Sequence, residues 1–420
     1  MRRAPALSFL LVTVFLDMLG LGLVVPILPA LLTAVTADAA GAVLWSGLLG
    51  SSFGLLQFAV APLLGRVSDR YGRRPVLLAS LGCLGVDWLA HAMTPGLWAL
   101  LLFHSLAGAC AGTQTVVNAY LADVVEPAER ARAYGLVGAA FGLGFVAGPT
   151  IGGLLGAVDV TLPFYAAAVL CFAGAAYGWF VLPESRPGDG RTPLSLRMAN
   201  PVSAIAAALS RPRAGRPGAG RPGAGRRGLG RLAYARLFAD VSRMTFQSVW
   251  SFFLTFRFGW NTTHVGLVMA ASALAGALFQ ALAVGPVVRR LGDKRAAVAG
   301  GLIGAVSLAG LAVASSPLML YAFQALGVLG GFGSAAAQSW ISRSIGDDEQ
   351  GTVQGALTAI AAAAETVVPL AAGAAFGWAL TAYAAPGLVF LGAAAFAVAS
   401  TALLVTTPPP GSAAERSGDR

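Results

Sequence analysis

Twelve apolar stretches, most of them about twenty residues long, succeed one another along this chain with short polar gaps between them. Their spacing predicts membrane-spanning helices near 6–31, 44–64, 75–95, 97–122, 133–156, 162–182, 233–256, 264–287, 296–316, 318–341, 352–376 and 379–405. At a rise of about 1.5 Å per residue, each is long enough to cross a hydrocarbon layer of about 30 Å. With 57% hydrophobic and 11% charged residues, the composition excludes a soluble globule.

Charge orients the spans. Of the 28 Lys and Arg residues, all but Arg243 and Arg257 fall at the N-terminus, in the gaps after spans 2, 4, 6, 8 and 10 (with Arg236 counted at the edge of the gap after span 6), or in the tail. The gaps after spans 1, 3, 5, 9 and 11 hold none. The positive-inside rule then puts both termini in the cytoplasm of a multi-pass protein. The net charge of +10 is mostly this topology signal and calls for no nucleic acid. The rest comes from residues 214–227, where an Ala-Gly-Arg-Pro-Gly unit recurs. Such a segment cannot bury a core, and it is expected to be a disordered cytoplasmic linker that lies on anionic headgroups. The expected organisation is a six-helix bundle over 1–183, a linker over 184–232, a second bundle over 233–406 and a disordered tail over 407–420. Cys83, Cys110 and Cys171 fall inside spans, which argues against a disulfide framework. The first apolar run is too long for a cleavable signal peptide and carries Asp17.

The halves repeat at an offset of 220 residues. Gly65 and Gly72 match Gly285 and Gly292, Glu129 and Gly135 match Glu349 and Gly355, and Pro149 and Gly153 match Pro369 and Gly373. Two parallel six-span halves place a solute site between them near the midplane and imply alternating access by rocking of one half against the other.

After span 2 the chain reads Gly65-Arg66-Val67-Ser68-Asp69-Arg70-Tyr71-Gly72-Arg73-Arg74. This resembles the Gly-x-x-x-Asp-Arg-x-Gly-Arg-Arg signature of the major facilitator superfamily. Span 5 carries Gly144, Gly148, Pro149, Gly152 and Gly153 in a pattern similar to that of the drug–proton antiporters of that superfamily. Asp17 with Gly20, Gly22, Pro26 and Pro29 in span 1, Asp87 in span 3 and the run ending at Asp123 in span 4 resemble the tetracycline-resistance efflux group. The resemblance is dense over 10–185 and thinner over 233–376. It implies an all-α membrane fold of twelve helices in two pseudo-symmetric bundles. It further implies a gating latch at Gly65, Asp69, Arg70, Gly72, Arg73 and Arg74, working through charge pairs and helix-end dipoles. Two positions depart from that group. His104 stands where the group carries an arginine, and Gly304 falls opposite its membrane aspartate. The solute is therefore left open.

A carboxylate at the centre of a membrane helix costs roughly 2.5–3.5 kcal/mol on insertion scales, so each one needs a reason. Asp17, Asp87 and Glu365 all reach about mid-depth. Asp17 and Asp87 either bind substrate or exchange a proton, or are structural acids capped by hydroxyls. Glu365 is the candidate for a coupling acid moved to the second half, or simply faces a wet cavity. His104 is either a proton relay or a packing histidine. Asp240 and Arg243 share one face of span 7 and can pair, or Arg243 anchors an anionic substrate. Gln57 and Gln247 are the better placed of the membrane amides, which also include Gln114, Asn118 and Gln280; all of them can equally be interhelical bonds. Pro149 should kink span 5, and its glycines should admit a neighbouring helix.

The three histidines, His91, His104 and His264, are scattered over separate spans, and there is no metal cluster, cofactor motif or phosphate-binding loop. ATP-driven pumping is excluded on that ground, which leaves an ion gradient. The expected function is proton-coupled export of a hydrophobic or amphipathic small molecule by a monomer in the lipid bilayer of the bacterial cytoplasmic (inner) membrane. The alternative is a facilitator or proton symporter of a small polar metabolite. A non-transporting receptor or scaffold is supported only by the Arg-rich linker.

Overall fold

A computed structural model describes residues 3–93, 96–111, 113–126, 129–185, 224–343 and 350–407. The repeat up to residue 223 and the tail 408–420 lie outside the described residues, as do Glu349 and the side chains of Gln114 and Asn118. Among the described residues the regular structure is entirely helical. The first half comprises α1 (Arg3–Val24), α2 (Leu28–Thr36), α3 (Ala39–Tyr71), α4 (Arg73–Met93), α5 (Leu97–Cys110), α6 (Thr113–Val124), α7 (Arg130–Val158) and α8 (Leu162–Val181). The second half begins with α9 (Ala224–Phe258) and α10 (Thr262–Phe279). A π-helical turn (Gln280–Val284) leads into α11 (Gly285–Leu291), followed by α12 (Asp293–Val313) and α13 (Pro317–Gly330). It ends with α14 (Phe332–Arg343), α15 (Gln350–Tyr383) and α16 (Leu388–Thr406). Among the described residues, ten helical stretches are long and apolar enough to cross a bilayer.

Several boundaries differ from expectation, each for a local reason. Span 1 is broken between α1 and α2, where Pro26 and Pro29 interrupt the backbone ladder. Span 4 is divided between α5 and α6. Span 12 starts at Leu388 rather than 379, because α15 continues to Tyr383 before Ala384 turns left-handed (φ 50°) ahead of Pro386. Residues 224–232, assigned to the linker, are already helical. Hydropathy marks where a helix enters hydrocarbon and not where it begins, and the buried Leu232 pins this early turn. The Asp69 signature is helical as well: α3 runs on to Tyr71, and only Gly72, at φ 106°, separates it from α4. Gly292, its repeat partner, has φ 75° between α11 and α12, so the duplication extends to backbone conformation.

The chain divides into two compact units. The first holds Met1–Pro201, Val249–Leu274 and Glu365–Gly377; the second holds Val202–Ser248, Ala275–Ala364 and Trp378–Arg420. In the first unit, α1 packs along α7, α4 along α8 and α3 along α5. Phe9, Leu10, Leu77, Val116 and Tyr120 form one core there, and Leu23, Ile27, Trp88, Ala107 and Phe164 another. In the second unit α12 lies against α14, α13 and α16, around Leu232, Ala296, Phe332, Trp340 and Leu404. Ser242 and Ser400 tie α9 to α16 by donating to the carbonyls of Ala393 (2.8 Å) and Ala235 (2.7 Å). The outward faces are themselves greasy: Phe180 is 85% exposed and Leu318 78% exposed, which only a hydrocarbon solvent makes tolerable.

Candidate functional site

The glycines of span 5 cut a groove for α1. A Cβ on Gly144 would meet the Phe15 carbonyl at 2.5 Å, and one on Gly148 would meet the Gly22 Cα at 2.6 Å. Gly152 lies against the backbone of Leu23. Gly153, one position on, faces another helix: a Cβ there would stand 2.6 Å from the Thr262 carbonyl and 3.2 Å from the Gly266 Cα of α10. Thr262 and Thr263 donate to the Gly153 carbonyl at 3.3 and 3.2 Å. The repeat copies this crossing. A Cβ on Gly373 of α15 would meet the Val43 carbonyl at 2.7 Å and the Gly47 Cα of α3 at 3.5 Å. Pro149 and Pro369 lie inside their helices, and the amide after Pro369, that of Leu370, donates to Ser51 at 3.0 Å.

Asp87 and His104 come together, and His91 joins them. Asp87 on α4 is 2% exposed. His104 of α5 places Nδ1 3.0 Å from its Oδ2. His91, one turn after Asp87, has Nδ1 3.2 Å from Oδ1 and 3.0 Å from the Asp87 carbonyl oxygen. A proton on that nitrogen goes to the carbonyl, and Oδ1 receives no hydrogen bond from the described residues. Aromatic rings fix both imidazoles: His91 stacks on Phe164 with centroids 5.5 Å apart, His104 lies 4.9 Å from Phe53, and the imidazoles are 5.1 Å from each other. The histidines expected to be scattered are thus, for two of the three, one cluster. The signal was present in part, since Asp87 and His91 are four apart and share a helix face. The contribution of His104 needed the packing of α4 on α5. Donor atoms of the three residues lie within 4.8 Å of one another. Both imidazoles stand at hydrogen-bond distance from the one carboxylate, and the same convergence of two ring nitrogens and a carboxylate oxygen is of the size a metal ion would need.

Asp17 is half-buried on α1. Glu365 is half-buried on α15, where Gly54 of α3 admits its backbone: a Cβ on Gly54 would meet the Glu365 carbonyl at 2.9 Å. Gln57 donates to the Ala111 carbonyl at 3.1 Å, so it closes the break between α5 and α6.

The second unit holds a cavity of about 880 Å³. Arg236, Asp240 and Arg243 project from one face of α9. Asp240 is 3% exposed; Arg236 Nε lies 2.7 Å from its Oδ2 and Arg243 Nη2 3.3 Å from its Oδ1. The guanidiniums reach onward, Arg236 to Gln338 and Arg243 to Gln247, each at 3.0 Å. The Asp240–Arg243 pair expected from spacing is present. Arg236, counted with the linker charges, is its stronger partner. The π-helical turn brings Gln280 to the same cavity, and Gly304 lines it too.

The loop signature condenses on one residue. Arg73 is buried and bonds Asp69 at 2.7 Å, Asp123 at 3.1 Å and the Ser68 hydroxyl at 2.6 Å. Glu184 accepts from the backbone amides of Arg73 (2.8 Å) and Arg74 (3.2 Å), capping the start of α4. Arg74 lies over the Trp179 ring and donates to the Trp179 carbonyl. Arg70 is exposed beside Tyr71, and Gly65 touches nothing within 4 Å of an added Cβ. Asp123 and Glu184 are not part of the loop signature; Asp123 stands only in the run matched in span 4, and Glu184 gives no sequence signal.

Known proteins carry the same design. The sequence profile described as Major Facilitator Superfamily matches residues 10–217 and 232–420. The chain is 38% identical to the class C tetracycline resistance protein of Escherichia coli, over 88% of this chain and 89% of that one. It is 32% identical to the class D protein of Salmonella ordonez, over 97% and 98%. Among solved structures, the nucleoside transporter NupG superposes with a TM-score of 0.70 at 14% identity, covering 96% of this chain and 98% of that one. The human organic anion transporter MFSD10 (TETRAN) gives 0.67 at 24%, covering 96% and 99%. The chain is a multi-pass membrane transporter that belongs to the major facilitator superfamily, where it groups with the tetracycline-resistance proteins.

Proposed function

We propose that this protein exports a hydrophobic or amphipathic small molecule from the cytoplasm in exchange for protons, with both termini cytoplasmic, in a bacterial inner membrane. The observation that carries the coupling is the Asp87–His91–His104 cluster: a carboxylate and two imidazoles enclosed by apolar helices, where a proton gained or lost changes a buried charge. In the proposed cycle Asp87 or Glu365 is protonated from outside, the carrier returns to face inward, and substrate displaces the proton. The cavity of the second unit holds the solute, with Arg243 in its wall and Gln247 bonded behind that guanidinium. Asp17 is the other membrane acid available to solute or proton. Arg73, with Asp69 and Asp123, latches the cytoplasmic side.

Inverted vesicles acidified inside should lose protons from the lumen when substrate is added. Tetracyclines are the first solutes to test, because relatives that match most of the chain are named for resistance to them. The double variant Asp87→Asn with Glu365→Gln should abolish proton release. Substrate flux that needs no gradient and survives in that variant would remove the proposal.

A further inference from the structure

The cavity of the second unit is lined by three charged side chains among the described residues: Arg236, Asp240 and Arg243. Two cations against one anion leave it with a net charge of +1 in a wall otherwise made of amides, hydroxyls and apolar groups. Asp240 takes one bond from each arginine. Each arginine spends one more on a glutamine. A guanidinium offers five N–H donors, so these bonds to described residues occupy two of the five on each side. Arg243 turns 44% of its side chain toward open space, against 3% for Asp240. The acid is thus spent inside the wall, while the surplus cation faces the cavity. Gln280 and Gln324 line the same wall, and the hydroxyls of Ser307 and Ser334 there already donate to the carbonyls of Phe323 and Gly331, which leaves them as acceptors. A volume of about 880 Å³ suits a ligand of drug size.

We infer that this cavity selects monoanionic amphiphiles, molecules with an apolar ring system and one carboxylate, enolate or similar oxyanion seated on Arg243. This deepens the proposed export function and rests on reading the cavity as its solute site. A guanidinium matches an oxyanion in a planar, charge-assisted geometry that an ammonium head group cannot use.

Gly304 supplies the decisive control. It lines the cavity, and a Cβ added there meets nothing within 4 Å. Gly304→Asp therefore adds a carboxylate without a clash and brings the cavity to neutrality, while Gly304→Asn adds the same shape without the charge. Arg243→Gln reaches neutrality from the other side and leaves the 2.7 Å Arg236–Asp240 pair standing.

The test is calorimetric titration of the purified full-length protein in detergent, with empty micelles as blank, using 2-naphthoate, 2-naphthamide and 2-naphthylmethylammonium. The naphthoate should bind at least roughly tenfold tighter than the amide, the lower bound for a hydrogen bond to a charged group, and the ammonium weakest. Arg243→Gln and Gly304→Asp should erase the advantage of the carboxylate, and Gly304→Asn should keep it. Equal affinities, preference for the ammonium, no naphthoate binding, or an advantage that survives both charge-neutralising variants would overturn the inference. Size-exclusion profiles exclude misfolded variants from the comparison. No gradient is present in this experiment, so a failed flux assay leaves its result standing. A failed binding series likewise leaves gradient-driven export of a neutral or cationic solute intact.

Discussion

His104 of α5 stands 3.0 Å from the carboxylate of Asp87 on α4, and a single Nδ1···Oδ2 contact joins the half-buried imidazole to the buried acid across neighbouring helices. Removing one partner of such a pair leaves a stranded charge, which costs about 3–5 kcal/mol, whereas removing both is far milder. His104→Ala is therefore expected to lower the melting temperature in detergent strongly, and adding Asp87→Asn to that variant should restore most of the loss. Thermal scans of the two variants check this. Equal melting points for His104→Ala and the wild type would show that the pair does not hold α4 to α5.

The proposed latch predicts an order among the arginines that sequence position alone does not. Arg73 is buried and bonds Asp69, Asp123 and Ser68, while Arg70 is exposed beside Tyr71. Arg73→Ala takes a charge-assisted bond from each of Asp69 and Asp123 and should reduce transport by at least about tenfold. Arg70→Ala should stay within about twofold, as expected for a surface cation. Initial rates at matched expression decide it, and equal losses at the two positions would contradict a latch centred on Arg73. Glu184, which holds the first amides of α4, should fall between the two.

Much of this architecture could be read before folding, because hydrocarbon thickness and charge asymmetry act on every span independently. The offset of 220 residues proved structural as well as textual: Gly72 and Gly292 share left-handed backbone, and Gly153 and Gly373 make matching helix crossings. What escaped the sequence depended on partners far along the chain. Glu184 acts on α4 from 110 residues away, and Arg236 reaches Gln338 across 102. His91 is legible from its four-residue spacing to Asp87, whereas its meeting with His104 depends on the packing of α4 on α5. Element ends were missed where a turn lacked its usual marker: Ala384, not a glycine, takes positive φ before span 12.

The two glycine crossings make a prediction about access. Gly153 against Thr262, and Gly373 against Val43, leave no room for a side chain, and overpacking of this kind costs about 1–3 kcal/mol. Gly153→Val and Gly373→Val should each pry a helix pair apart and slow export. In a background with Cys83, Cys110 and Cys171 replaced by Ser, a cysteine at Ser51 should become reactive to an impermeant maleimide when Gly373→Val is added, since Ser51 is buried and bonded to Leu370 at that crossing. Unchanged reactivity would mean that the crossing seals nothing.

Orientation is the last consequence of the charge pattern. Asp38 caps α3 by accepting from the amides of Ala40 and Gly41, and Asp159 precedes α8. No Lys or Arg falls in either of those gaps. Asp159 accepts from the Thr161 hydroxyl at 2.6 Å and from its amide at 2.7 Å, which holds its carboxyl below the usual range and keeps the loop negative into mild acid. The opposite end of α3 carries Arg66 and Arg70, and in the sequence Arg289 and Arg290 fall in the corresponding gap after span 8. The positive-inside rule makes those the cytoplasmic ends. Single cysteines at the exposed positions Val158 and Tyr383 should therefore react with an impermeant maleimide in intact cells, and cysteines at Arg70 and Arg290 only after permeabilisation. Labelling of Arg70 and Val158 from the same side would defeat the proposed topology and, with it, the direction assigned to export.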